Sequence, residues 1–259
     1  MMTTTMRNIV SDIKTMFWRS LLKTLRTPEA MVMSIMIPAI LMLLFVNVFG
    51  GSMDVGDYNF ANFIVPGILL NSLIQGSAST AISMNQDMTT GIINRFRTMA
   101  ISHSSLLIGH VLAAVVKTIM TTIVVLLVAI LAGFRPAANL AEWSLVVGLL
   151  ILFIFTVTWF AVLLGALMKD SESASGITQL VAILVFLSSG FSPTENMPRF
   201  LRYFAENQPM TPFINSLRAL MNGYEITENN LQLALIWWGG ILLISFLVAV
   251  FVYKKKMTV

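Results

Sequence analysis

Few side chains in this sequence have the type and spacing for covalent chemistry. His103 and His110 stand seven residues apart with no third metal ligand near them, and no H-E-x-x-H pattern occurs. Cysteine is absent, which removes thiolate metal sites, iron–sulfur clusters, disulfides and thiol nucleophiles. The Lys-Thr pairs at Lys14, Lys23 and Lys117 lack the glycines of a phosphate-binding loop, so no nucleotide site of that kind is present. What remains is non-covalent. Asn71, Ser72, Gln75, Ser79, Ser83 and Gln86 fall within an arc of about 120° on a helical wheel. Amides and hydroxyls in such a stripe hydrogen-bond either a neighbouring helix or a polar molecule passing along them.

Composition decides what scaffold carries that stripe. Of 259 residues, 57% are apolar and only 11% charged, against roughly 25% charged in soluble domains. So few charges cannot cover a soluble fold, which excludes a disordered chain, a coiled coil and an ordinary cytosolic enzyme. A helix crosses the ~30 Å hydrocarbon core with about 20 mostly apolar residues. Six stretches fit, at about 30–50, 60–86, 108–134, 143–168, 174–193 and 231–253. The expected fold is an all-α integral membrane protein with six transmembrane helices, residues 30–259, preceded by a segment 1–29. That leading segment is basic and has no apolar run suited to a signal peptide.

Lys and Arg set the orientation. Arg7, Lys14, Arg19, Lys23, Arg26, Arg95, Arg97, Lys169, Lys254, Lys255 and Lys256 fall on one side; Arg135, Arg199, Arg202 and Arg218 fall on the other. The richer side is expected to be cytosolic, with both termini. The first outer connection, with Asp54 and Asp57 and no Lys or Arg, agrees. Lys117 interrupts the third stretch, and the expectation is that its stem snorkels to the headgroups.

The connections are structured too. Ile9, Ile13, Met16, Phe17 and Leu21 share one face of a helix over 6–26, with Arg19 and Arg26 opposite and Trp18 suited to the interface. Ile92, Ile93, Phe96, Met99 and Ala100 predict a short amphipathic helix, capped by Thr89 or Thr90. Ser188 to Pro193 should break a helix near membrane depth, where irregular backbone must be buried in protein or line water. Phe200, Leu201 and Phe204 then oppose Arg199, Arg202 and Glu206 in a short helix. A second begins with Thr211 as cap and Pro212 at its first position, and ends at Gly223. Together these form an expected outer lid.

Two blocks carry a resemblance. One is Gly91-Ile92-Ile93-Asn94-Arg95-Phe96-Arg97-Thr98-Met99-Ala100-Ile101-Ser102 with Gly109-His110-Val111-Leu112-Ala113. The other runs from Ser189-Gly190-Phe191-Ser192-Pro193 through Asn207-Gln208-Pro209-Met210-Thr211-Pro212 to Arg218 and Gly223. A weaker match is Val48-Phe49-Gly50-Gly51. The sequence resembles the membrane subunit of type-2 ABC transporters, especially daunorubicin-resistance-like permeases, over nearly its whole length.

The resemblance implies an ATP-driven exporter subunit in the plasma membrane, working by alternating access on an amphiphilic drug, lipid or lipid-linked glycan. It implies a permease homodimer above two copies of a separate ABC ATP-binding subunit. ATP and magnesium would sit on that partner, none on this chain, which would have no enzymatic activity, no metal and no nucleic-acid partner. Residues 6–26 would be an interfacial connecting helix and 195–223 outer re-entrant helices. Gly91, Ile93, Arg95, Phe96, Arg97 and Met99 would form the coupling helix in the ATPase groove. Asn71, Gln75, Ser79 and Gln179 would line the substrate pathway, with Ser188, Ser189, Gly190, Phe191 and Pro193 at the outer gate. The residues alone leave a non-transporting membrane scaffold or a secondary carrier open, although no carboxylate lies in the clearly apolar spans.

Overall fold

The computed structural model describes residues 2–25, 28–50, 59–89 and 103–258, and the regular structure among them is helical. The helices are α1 (Met2–Leu25), α2 (Pro28–Leu44, continued by a π-helical turn at Phe45–Phe49), α3 (Phe60–Thr89), α4 (His103–Leu131) and α5 (Leu140–Leu167). They are followed by α6 (Ser171–Phe186), α7 (Arg199–Asn207), α8 (Met210–Asn222) and α9 (Glu228–Thr258). Of these, α3, α4, α5 and α9 are long and apolar enough to cross a bilayer. Apolar helix at Ser34–Phe49 and in α6 is shorter. The fifth stretch was expected to run to 193; its helix stops at Phe186, and turns follow.

Local chemistry sets several ends. Asn139 and Glu142 form a reciprocal capping box that starts α5, with bonds of 2.9 and 2.6 Å. Asp170 caps α6 by accepting from the Ser173 amide at 2.7 Å, and that bond holds its carboxyl below the usual carboxylate range. Gly223 ends α8 with φ 67°, where a side chain would be strained, as the sequence predicts. The start of α8 corrects the sequence reading. Met210 opens the helix and Thr211 does not cap it, because its hydroxyl donates to the Ala205 carbonyl and accepts from the Ser189 amide. A tertiary contact outcompetes the local cap. On α7 only Ala205 is buried; Phe200 and Tyr203 point outward, 83% and 74% exposed.

The core forms around α3, which touches α2, α4, α5, α6 and α8. Its apolar stretch is 83% buried, against 17% for α9 at the periphery. Close crossing needs small residues. A Cβ on Gly165 of α5 would lie 2.5 Å from the Ala81 carbonyl oxygen of α3. Beside it, the Asn85 amide donates to the carbonyls of Gly165 (3.2 Å) and Met168 (2.8 Å). The outer helix α9 is fastened to α5 by Thr156 bonding the Trp238 carbonyl (3.2 Å) and by Trp159 edge-on to Phe246 (4.8 Å).

At one end of the bundle a buried ionic junction ties three helices. Asp87 of α3 lies 2.8 Å from His110 Nε2 of α4 and 3.1 Å from Arg19 Nη1 of α1. Asp87 and His110 are both buried. Next to them, Gly109 leaves room for Met16 of α1. Three sequence expectations change here. The second span was read as ending at 86, whereas α3 runs on through Asp87. Thr89, expected with Thr90 as a cap, is the last residue of α3 and bonds back to the Asn85 carbonyl at 2.9 Å; the helix expected after it lies outside the described residues. Arg19, expected opposite the apolar face, reaches inward to Asp87; Trp18 is exposed as expected. Lys256 of α9 bonds the Ala166 carbonyl (2.6 Å) near this same end, which so gathers the last turns of α1, α3, α5 and α9. It is called the terminal end below.

Asp87→Ala should cost about 3 kcal/mol by stripping Arg19 and His110 of their shared buried partner. Gly165→Val should cost about 1–3 kcal/mol by overpacking α5 on α3. Both should lower the thermal midpoint of the purified protein in detergent; an unchanged midpoint in either would contradict the packing described.

Candidate functional site

A polar residue on a buried transmembrane helix has to be met by protein or by a cavity. The stripe on α3 meets both. Asn71 is buried and its amide donates to the Ala182 carbonyl of α6 at 3.2 Å. Gln75, one turn on, donates to Asn71 Oδ1 at 2.8 Å. Ser72 and Ser77 bond their own helix, to the carbonyls of Leu69 (2.7 Å) and Ile74 (2.6 Å).

Beside Asn71 and Gln75 an open cleft of roughly 510 Å³ separates α3 from α6. Gln179, Ser175 and Glu172 give its far wall polar character, and Leu180, Ile183 and Phe186 give it apolar surface. That volume falls in the range of small-molecule sites, and the mixture of amides with aliphatic and aromatic surface suits an amphiphile. Asn71, Gln75 and Gln179 of the predicted pathway therefore share one cleft.

Ser79, predicted with them, does not line that cleft. It faces a smaller one of about 140 Å³ between α2, α3 and α4, lined by Ser34, Ile37, Pro38, Gln75, Gly76, Ser79 and Lys117. Gln75 borders both. Here the snorkelling expectation for Lys117 fails. Lys117 is the middle residue of α4, fourteen from either end, or about 21 Å at 1.5 Å per residue. Its side chain runs across the bundle: the ammonium donates to Ser79 Oγ (2.5 Å) and approaches the Gly76 carbonyl (3.5 Å). It is 6% exposed. The expected span began at about 108, whereas the helix begins at His103, which puts Lys117 deeper than snorkelling allows.

The predicted gate is a packed corner. Past α6, Ser188 donates to the Val185 carbonyl and accepts from the Gly190 amide (3.1 Å). Gln208 covers the freed carbonyls of Leu184 (3.1 Å) and Leu187. Ser189 Oγ pairs with Asn215 Oδ1 at 2.7 Å. Gly190 lies against Gly67 of α3, where a Cβ would stand 2.5 Å from the Gly190 carbonyl oxygen. Phe191 stacks on Phe186 (4.4 Å) and touches Phe45 of the π-helical turn (5.1 Å). Ser188, Ser189, Gly190 and Phe191 thus converge in the core, while Pro193 is half-buried and leads into a short 3-10 turn at Thr194–Asn196.

Arg218 organises this corner, a role the sequence reading missed. Buried on α8, it donates through Nε to the Phe63 carbonyl (2.9 Å), through Nη1 to Asn215 Oδ1 (3.0 Å) and through Nη2 to the Ser189 carbonyl. Its guanidinium lies 3.8 Å over the Phe63 ring. The available signal was an arginine inside the otherwise uncharged run Thr211–Gly223, which the charge count had placed in an outer loop. Asp87 with His110 is the other omission; its signal was a carboxylate one residue beyond an assigned span. The predicted coupling residues Gly91, Ile93, Arg95, Phe96, Arg97 and Met99 lie outside the described residues.

Nothing in these clefts is arranged to make or break bonds. They offer amide, hydroxyl and apolar surface for non-covalent contacts. Known proteins have the same sequence pattern. The daunorubicin resistance ABC transporter permease protein DrrB1 of Streptomyces coeruleorubidus is 27% identical over 215 residues, 83% of this chain and 76% of its own length. The "Probable doxorubicin resistance ABC transporter permease protein DrrC" of Mycobacterium tuberculosis is 24% identical over 195 residues, 75% of this chain and 70% of its own. The profile of the ABC-2 type transporter family matches residues 11–222, taking in α3 with its polar stripe, the corner and Arg218. An integral membrane bundle with those features along a match of that extent is a permease domain, and the chain belongs to the ABC-2 type transporter family.

Proposed function

We propose that this protein is the membrane subunit of an ATP-driven exporter of amphiphilic molecules. The observation that carries the proposal is the amide-lined cleft between α3 and α6, which leads towards the closed corner held by Arg218. In this reading α2 with its π-helical turn, α3, α4, α5, α6 and α9 supply the six spans, residues 30–259, and α1 is the connecting helix of segment 1–29. The terminal end is cytosolic and the corner is the outer gate of a plasma-membrane protein. Two copies of the chain pair above two copies of an ABC ATPase that binds ATP and magnesium. Relatives named for daunorubicin and doxorubicin resistance support a drug-like cargo.

The mechanics follow from the packing. Residues 90–102 follow α3, whose last turn carries Asp87, and precede α4, whose second turn carries His110. A push on that connection from closing ATPases would move α1, α3 and α4 together, since a buried ionic contact resists being pulled apart. Because α3 carries one wall of the cleft and Gly67 at the corner, the same shift narrows the inner mouth and loosens the outer seal.

Charge reversal at Arg95→Glu with Arg97→Glu should leave insertion intact and uncouple ATP hydrolysis from export, measured as ATPase turnover against drug efflux in vesicles. Coupled transport at the parental ratio would remove the coupling assignment. Arg218→Lys should abolish efflux and lower the thermal midpoint, because one ammonium cannot meet three divergent acceptors while lying flat on Phe63. Retained efflux would show that the corner is not part of the pathway.

A further inference from the structure

Resting on the exporter reading, we infer that the smaller cleft is an anion subsite, in which Lys117 receives the carboxylate or phosphate group of an acidic amphiphile in transit. Lys117 sits at the midpoint of α4, directed at Ser79 across the bundle. Among the described residues no carboxylate pairs with it. Glu172, on the larger cleft, belongs to the first turn of α6 and is exposed. A helix–helix clasp needs no cation here, since a hydroxyl would serve Ser79 as well, and a charge at this depth is retained where it meets a partner. The wall around the ammonium supplies further polar groups from Ser34, Gln75 and Ser79, with Ile37 and Pro38 as its apolar side.

Size narrows the ligand. At about 140 Å³ the cleft is below the volume of a whole small-molecule site, so it takes one small group of a larger molecule. Gln75 joins it to the larger cleft, where the body of the same molecule can lie. Depth narrows the source. A resident lipid keeps its phosphate at the bilayer surface, about 15 Å from the midplane; an acidic group at the level of Lys117 belongs to a molecule being carried across.

The test uses the full chain in phosphatidylcholine nanodiscs without an ATPase, with dansyl-undecanoic acid and its methyl ester as fluorescent probes. The parental protein should bind the acid roughly tenfold more tightly than the ester, the scale of one charge-assisted hydrogen bond. Lys117→Met should bind both as it binds the ester, and Lys117→Arg should keep the preference. Equal affinities in the parental protein, or a preference that survives in Lys117→Met, would overturn the subsite. Loss of acid binding when phosphatidylglycerol replaces phosphatidylcholine would assign the site to a resident lipid and overturn the substrate claim. Because no ATPase is present, failure here leaves the exporter reading to the Arg95 and Arg97 variants, and failure there leaves this binding result standing.

Discussion

Between Leu187 and Ser192 the chain gives up its helix while still inside the bundle, and every carbonyl it releases has to be met by protein. That requirement organises the molecule. Gln208 takes two of the carbonyls, Arg218 takes a third, and Thr211 accepts from the Ser189 amide. To deliver those groups, α8 must fold back against α3 and α6. To let the corner approach α3, Gly67 must be glycine, and Gly190 opposite it leaves only a tight fit for a Cβ. The closed corner and the burial of α3 are consequences of one debt of backbone hydrogen bonds.

The same logic explains why one polar stripe has several duties. On an isolated helix its residues are equivalent members of a face. In the bundle, α6 claims Asn71, α4 claims Ser79, and Gln75 stands between two clefts. Hydrogen bonding fixes the helices on either side of the stripe while leaving amide surface for a solute. A wholly apolar α3 would pack but recognise nothing; a stripe wholly satisfied by neighbours would leave no cleft.

The terminal end has the opposite character. There the contacts are ionic and buried, joining α1, α3 and α4 through Asp87, Arg19 and His110, with Asn85 binding α5 alongside. Breaking one partner out of such a cluster is costly, so α1, α3 and α4 are held to one another at this end, while the corner at the other is closed by directional hydrogen bonds.

The sequence by itself determined the solvent and the helices. Low charge and runs of about 20 apolar residues require a bilayer, period 3.6 drew the stripe, Gly223 stopped α8, and Ser188 to Pro193 broke α6. These are local matters of backbone freedom and hydropathy. Only the tertiary structure decided what the scattered polar groups do. Thr211 lost its capping role to Ser189 and Ala205, Arg19 turned inward to Asp87, Lys117 reached from the middle of α4 to Ser79, and Arg218 left its expected loop for the corner. Each depends on a partner dozens of residues away or on an acceptor released by a break elsewhere. In an apolar medium such a group goes wherever its hydrogen bonds can be completed, and a residue's own neighbours in the chain do not say where that is.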